Sequence, residues 1–316
     1  MQLRVSRIWD EAESIKGFEL THPERSSLPA FEAGAHISLT LPGGMVRQYS
    51  LCNDPAEISR YELGILRAAN GRGGSAYLHD HVGVGSLIDV EAPRNAFRLG
   101  ETGAQYILIA GGIGITPLLS MARRLNALKR PYHLYYLSRT PTAAGYCGTL
   151  RESDFVGHVT IIHHEGDPRR RLDIRGLLSE PQPNCRLYCC GPTRLTEEVL
   201  SAASHWPAGS VHFEAFNPAE PPSRKAQTAD RAFEVELARS GKVIAVSSTE
   251  TILTALRRAG VSMPSACEAG ICGACMVDVL KGTPEHRDQI LNEDERLRCM
   301  TVCCSRSTSE RIVLDL

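Results

Sequence analysis

No run of about 18 apolar residues occurs anywhere in this 316-residue sequence, so no segment reads as a membrane span. Neither sign of charge is in excess. Lys plus Arg number 35 against 36 Asp plus Glu, a formal net charge of -1, which removes a whole-chain nucleic-acid footprint. The opening Met1-Gln2-Leu3-Arg4-Val5-Ser6-Arg7 lacks the apolar core of a secretory signal, and a cytoplasmic location is the expectation. Internal repeats and long low-complexity tracts are missing. So is an even cysteine count: 11 cysteines in an unsecreted chain make a poor disulfide framework. No Ser-His-Asp or paired-carboxylate constellation calls for acid–base catalysis. What remains is ordinary globular composition, 42% hydrophobic and 22% charged, with length enough for more than one domain.

Three blocks follow one another along the chain. Residues 1–100 carry short alternating or apolar runs, among them His36-Ile37-Ser38-Leu39-Thr40-Leu41 and Tyr61-Glu62-Leu63-Gly64-Ile65-Leu66. Pro42-Gly43-Gly44, Asn53-Asp54-Pro55 and Gly83-Val84-Gly85 punctuate them, a rhythm that predicts an antiparallel barrel or sandwich. Ser75 is a good N-cap for one short helix over Ala76 to His81.

Residues 103–216 change rhythm. Tyr106-Ile107-Leu108-Ile109-Ala110 is a continuous apolar strand, followed by a glycine turn and the helical Leu118 to Leu125. Further buried-type strands at His133–Leu137, Val159–Ile162 and Arg186–Cys190 predict a parallel sheet with crossover helices. The Pro-containing stretch 217–230 reads as an exposed linker. Residues 231–316 open with the strands Phe233–Leu237 and Val243–Val246 and a helix over Thr251 to Ala259.

Six cysteines crowd this third block: Cys267, Cys272, Cys275, Cys299, Cys303 and Cys304. The first three stand as C-x4-C-x2-C, the spacing of plant-type [2Fe–2S] ligation. Iron bridged by sulfide needs soft thiolate ligands converging from a tight loop. Gly270 and Gly273 let backbone amides approach the cluster sulfurs. Zinc sites usually show paired C-x2-C units, and only one is present here. The spacing leaves the fourth ligand open among Cys299, Cys303 and Cys304.

With these motifs in order, the whole chain resembles the phthalate dioxygenase reductase family, which includes the reductases of vanillate O-demethylase and related Rieske oxygenases. The resemblance rests on Arg47-Gln48-Tyr49-Ser50-Leu51-Cys52-Asn53, Gly71-Arg72-Gly73-Gly74-Ser75, Gly111-Gly112-Ile113-Gly114-Ile115-Thr116-Pro117, Cys190-Gly191-Pro192, His212-Phe213-Glu214-Ala215-Phe216, the cysteine loop and the tail Cys303-Cys304-Ser305-Arg306. It implies an FMN-binding β-barrel over 1–100, a ferredoxin-reductase-like α/β domain binding NAD(P)H over 103–216, and a plant-type ferredoxin β-grasp domain over 231–316. It also implies Cys303 as the fourth ligand beside Cys267, Cys272 and Cys275.

For FMN, Arg47 and Tyr49 share one strand face, so a cation and a ring line up, and Ser50 can reach the flavin edge. Gly73, Gly74 and Ser75 before a helix make an anion site. The resemblance adds Leu66 and Thr116 beside the ring and Phe216 against it. For the nicotinamide nucleotide, Gly111, Gly112 and Gly114 would admit a pyrophosphate to a helix N-terminus. By resemblance Cys190, Gly191 and Pro192 close the nicotinamide side. Ser138-Arg139 follows a strand with no acidic residue, and an arginine there suits the 2′-phosphate of NADPH; the family habit favours NADH. His163-His164 reads as a polar loop, and Arg169-Arg170-Arg171 as a solvated turn, with a place near a cofactor phosphate as its alternative. His286-Arg287-Asp288 matches part of a kinase loop with no kinase around it.

The expected chemistry is electron transfer from NAD(P)H through FMN and a [2Fe–2S] cluster to an oxygenase, with no acid–base residue, no nucleic acid and no membrane, by a monomer. The alternatives are the same electron chain serving a cytochrome P450, or a non-catalytic iron–sulfur or zinc-binding interaction module.

Overall fold

The computed structural model describes every residue except 26, 70, 72, 216–229, 266, 267, 269, 271, 272 and 289. The chain divides into two compact units, one of Met1–Leu41 and Arg47–Asn217, the other of Pro42–Val46 and Pro218–Leu316. The blocks 1–100, apart from Pro42–Val46, and 103–216 thus fall together in the first unit. The linker expected at 217–230 lies outside the described residues except for Asp230.

Six strands form the first sheet: β1 (Gln2–Ala12), β2 (Ile15–Thr21), β3 (His36–Leu41), β4 (Met45–Ser50), β5 (Tyr61–Leu66) and β6 (Leu87–Val90). Their order is β4-β3-β6-β1-β2-β5. The pairs β1–β2, β1–β6, β2–β5 and β3–β6 are all antiparallel. Just past β4, Leu51 bridges Leu63 of β5, and the Cys52 N–H donates to the Glu62 carbonyl at 3.0 Å, so the sheet closes into a barrel. The period of two puts Leu3 and Val5 inside and Gln2 and Arg4 outside. Each such buried side chain stabilises the barrel by about 1.5–3 kcal/mol.

Helix α1 (Gly74–His81) packs on this barrel but does not start where the serine suggested. Its N-cap is Gly73, at φ 83°, a left-handed conformation that glycine adopts without strain. Ser75 sits inside the first turn, and its hydroxyl instead accepts from the Ala68 N–H at 3.1 Å. The cap preference of serine lost to a glycine able to make the sharper entry.

The second sheet of the first unit holds β7 (Gln105–Gly111), β8 (Tyr132–Ser138), β9 (Val159–His163), β10 (Cys185–Gly191) and β11 (Val211–Ala215). It is parallel, in the order β11-β10-β7-β8-β9. Helices α2 (Ile115–Ala127), α3 (Ile174–Leu177) and α4 (Thr193–Ala202) cross over between strands. Tyr106 to Gly111 are all buried, as expected for a central parallel strand covered on both faces. The chain runs outward from β7 to β9 and then returns to β10 on the other side of β7. The carboxyl ends of β7 and β10 therefore flank the topological switch point, where doubly wound sheets bind ligands.

In the second unit the sheet order is β13-β12-β18-β14-β16, from β12 (Phe233–Leu237), β13 (Val243–Val246), β14 (Met276–Lys281), β16 (Cys299–Thr301) and β18 (Arg311–Leu314). A two-stranded ribbon pairs β15 (Pro284–Glu285) with β17 (Arg306–Ser307). Strands β12 and β18 are parallel neighbours, while β12–β13, β14–β16 and β14–β18 are antiparallel. Helix α5 (Ile252–Arg258) is capped by the Thr251 hydroxyl, which accepts from the Thr254 N–H at 3.1 Å. It buries Ile252, Leu253 and Leu256 in a core shared with Val235, Val277, Met300 and Ile312. The short α6 (Glu293–Arg296) carries a capping box between Asn292 and Glu295. Among the described residues no helix is long and apolar enough to cross a membrane.

Candidate functional site

At the switch point of the parallel sheet, backbone meets backbone. A Cβ on Gly191 would lie 3.0 Å from the Gly111 Cα, and one on Gly114 only 2.1 Å from the Cys190 carbonyl oxygen. Side chains are excluded here, so β7, β10 and the start of α2 close up tightly. Beside this seam opens a cavity of about 460 Å³ lined by Leu66, Gly111, Gly112, Ser138, Arg139 and Pro192, among others. One residue expected at the flavin and five expected at the nucleotide thus share one wall. Gly114 packs on Cys190, and Gly191 on Gly111. Thr116 is buried; its hydroxyl donates to the Ile113 carbonyl at 3.0 Å, and its methyl faces Gly64 of β5.

Three guanidiniums, those of Arg139, Arg171 and Arg194, also line the cavity, with no ion-pair partner among the described residues. Glu13 and Glu198 are its only carboxylates among the lining groups. The triple-arginine turn is therefore not uniform. Arg169 pairs with Asp167 at 2.9 Å and Arg170 with Glu165, whereas Arg171 turns to the cavity. The two histidines also depart from the polar-loop reading. His163 ends β9 with its Nδ1 2.6 Å from the Ser138 hydroxyl, and His164 lines the cavity. Sequence spacing could not show either contact, because both depend on neighbouring parallel strands ending level.

Cys190 itself is fully buried, its thiol 3.9 Å from a Glu214 carboxyl oxygen. Burial pushes the Glu214 carboxyl up to about 8, and burial followed by the Glu214 charge pushes the Cys190 thiol well up. Glu214 lies in the quoted motif ahead of residue 216, yet nothing in its spacing announced a thiol partner. Phe216 lies outside the described residues.

On the barrel, the strand β4 holds Arg47, Tyr49 and the buried Ser50. Burial holds the Tyr49 hydroxyl above the usual phenol range, against the pull of Arg47. A Cβ on Gly74 would lie 2.5 Å from Arg47 Cγ and 2.6 Å from its Nε. The arginine side chain therefore lies across the first turn of α1, where Gly73 and Gly74 leave the backbone bare. Cation, helix N-terminus and glycine turn converge as a phosphate cradle requires. Leu66, at the end of β5, is exposed and joins the cavity wall.

In the second unit, the Val302 N–H donates to the Cys275 carbonyl at 3.2 Å, which ties the tail loop to the cysteine loop. Cys275 and Cys303 are both buried, and the neighbouring Cys275 and Cys304 thiols push the Cys303 thiol up. The Cys299 thiol donates to the Glu295 carbonyl at 3.1 Å. Cys304 lies 3.1 Å from the Thr301 hydroxyl, and its sulfur is 2.4 Å from where a Cβ on Gly270 would be. Gly270 has φ 74°, so glycine is demanded by both conformation and space. Cys267 and Cys272 lie outside the described residues. Cys275 and Cys303 are buried free thiols, soft donors of the kind an iron–sulfur cluster takes.

Residues 235–308 match the family described as a 2Fe-2S iron-sulfur cluster binding domain. The chain is 40% identical to phthalate dioxygenase reductase of Burkholderia cepacia over 100% of its own length and 97% of that protein. A solved structure of phthalate dioxygenase reductase, described as modular for electron transfer from pyridine nucleotides to [2Fe-2S], matches with TM-score 0.73 and 40% identity. That match covers 100% of this chain and 98% of that one. An intact type IV self-sufficient cytochrome P450 monooxygenase matches at TM-score 0.83 and 34% identity, over 100% of this chain and 41% of that one.

Proposed function

The chain belongs to the phthalate dioxygenase reductase family, and on that premise we propose that it is the NADH-dependent reductase of a Rieske-type oxygenase or demethylase, working through FMN and a [2Fe–2S] cluster. Bound FMN takes up electrons in a pair and gives them up singly, and a [2Fe–2S] cluster carries one at a time. The protein's part is to bind, orient and shield. Arg47 and the amides of Gly73, Gly74 and Ser75 hold the flavin phosphate, Tyr49 packs on its ring, and Ser50 meets its polar edge. Leu66, Thr116 and Phe216 complete the flavin site. Gly111, Gly112 and Gly114 admit the nucleotide backbone, while Cys190, Gly191 and Pro192 bound the nicotinamide end. Ser138 and Arg139 take the ribose side. Cys267, Cys272, Cys275 and Cys303 ligate the cluster.

The carrying observation is that one chain holds both a glycine-lined cavity at a doubly wound switch point and, in its other unit, a backbone hydrogen bond that ties the cysteine tail at Val302 to Cys275. The purified protein should show flavin and iron–sulfur absorption together, and NADH should bleach both. A colourless protein, or one with zinc alone, sinks the proposal. The likeness to a self-sufficient P450 gives a second reading, in which the acceptor is a haem oxygenase. Reduction of a P450 but not of a Rieske oxygenase would establish it.

NADH should give the higher kcat/KM. Arg139→Ala should lower that ratio about tenfold, mainly through KM, the scale of losing one hydrogen bond to a charged group. A strong preference for NADPH in the unaltered protein would instead make Arg139 a 2′-phosphate clamp.

The electron exit is assigned to the cysteine loop. Ala274 is small and half-buried next to Cys275, and acidic and basic residues nearly cancel over 231–316. Docking there needs close approach more than charge steering. Ala274→Glu should slow oxygenase reduction about tenfold and leave NADH–ferricyanide reduction unchanged. Equal slowing of both reactions would move the defect upstream of the loop.

A further inference from the structure

The motif His286-Arg287-Asp288 has no place in the reading so far, yet the fold puts it against the cysteine loop. Asp288 has a fully buried side chain. A Cβ built on Gly270, which stands between Cys267 and Cys272, would lie 3.0 Å from the Asp288 Cα and 3.2 Å from its Cβ. Asp288 thus packs directly on the middle of that loop.

Its carboxylate is held by protein groups. Oδ2 accepts from the Leu291 N–H at 3.0 Å, and Oδ1 accepts from the buried Ser305 hydroxyl at 3.4 Å. Ser305 also accepts from the Arg287 N–H at 3.2 Å, and its hydroxyl lies 3.3 Å from that of Thr301, the residue that contacts Cys304. Two further groups face the carboxylate: Arg296, its Nη2 3.7 Å from Oδ2, and His286, its Nδ1 3.4 Å from Oδ1. The Arg296 guanidinium also donates to the Asp288 carbonyl at 3.0 Å. Arg287 points elsewhere, pairing with Asp230 and Glu285. The motif is therefore divided: Arg287 ties Asp230 to Glu285, and Asp288 supports the cysteine tail and loop.

We propose that Asp288 and Arg296 are an opposed pair that sets the reduction potential of the cluster, the buried carboxylate lowering it and the guanidinium raising it. This rests on the cluster reading of the four cysteines. Reduction adds one electron, and hence one negative charge, to a centre behind Gly270. An anion buried against that loop disfavours the added charge, since low-dielectric surroundings screen it weakly. The Arg296 cation, 3.7 Å from that carboxylate, favours it less strongly, because its side chain is 42% exposed and screened by solvent. The lower potential makes the reduced centre a stronger donor to its acceptor.

Redox titration of the holoprotein with mediators, followed by visible absorption and low-temperature EPR, tests the pair. Asp288→Asn keeps an acceptor for the Leu291 N–H and removes the charge. At a fixed ambient potential it should raise the reduced-to-oxidised ratio about tenfold, 59 mV for a one-electron couple. Arg296→Gln should move the ratio the opposite way, about threefold. Opposite shifts support the proposal, because loosened packing has no reason to change sign with the charge removed. An intact cluster with an unmoved or lowered potential in Asp288→Asn overturns it. If that variant holds no cluster, Arg296→Gln decides: a lowered potential supports the pair, an unchanged or raised one overturns it. Absence of any cluster from the unaltered protein would instead remove the underlying ligand reading.

Discussion

Serine at position 303 is expected to abolish the EPR signal of the reduced cluster and to cut NADH-driven reduction of the oxygenase by at least about a hundredfold. NADH–ferricyanide reduction, which can draw on the flavin, should survive. The reasoning is positional. Spacing alone left Cys299, Cys303 and Cys304 as rivals. The hydrogen bond from Val302 to the Cys275 carbonyl, 3.2 Å, ties the tail to the cysteine loop, and the next residue, Cys303, is buried beside it. Cys299 spends its thiol proton on the Glu295 carbonyl. Cys304 fills the space that Gly270 leaves vacant. A hydroxyl at 303 is a harder, less charge-donating ligand than a thiolate and cannot replace it. Cys299→Ser and Cys304→Ser should both keep the signal. A cluster intact in Cys303→Ser but lost in Cys299→Ser would reassign the fourth ligand.

The contrast among these cysteines shows where the sequence is legible. Tyr106 to Ala110 can be read as a buried parallel strand because an unbroken apolar run admits few other fates. The alternation of Phe233 to Leu237 likewise declares a half-buried strand. Cys267, Cys272 and Cys275 are legible because their chemistry needs close spacing. Contacts between distant segments leave no such trace. The barrel closure pairs Leu51 with Leu63 across a loop, and Ser138 meets His163 only because β8 and β9 end together. Arg171 reaches the cavity while Arg169 and Arg170, its neighbours, pair at the surface. No local rule separates the three. Ser75 failed as a cap for a related reason: propensity is a weak prior, and Gly73 offered a backbone turn serine could not make cheaply.

Arg47→Ala should release the flavin and leave the cluster in place. The Arg47 side chain lies across the first turn of α1, within 2.6 Å of the Cβ position of Gly74, so its charge adds to the bare amides of that turn. A bidentate pair with a phosphate contributes about 3 kcal/mol when two charge-assisted hydrogen bonds form, or about a hundredfold in Kd. Lysine at 47 keeps the charge and loses the fork, so Arg47→Lys should fall between the two. Gly74→Ala offers an independent check. Its methyl would force the arginine stem aside without removing charge, and flavin affinity should drop by about tenfold or less. Fluorescence of the ultrafiltrate measures the released flavin, and the iron–sulfur absorption bands report the cluster in the same sample. Chromatography should identify the released cofactor as FMN, because Arg47 and the Gly73–Ser75 turn build a terminal phosphate site. Recovery of FAD would mean that this cradle receives a pyrophosphate and that an adenylate site lies beyond it. Flavin retained in both Arg47→Ala and Gly74→Ala would place the phosphate elsewhere on the barrel.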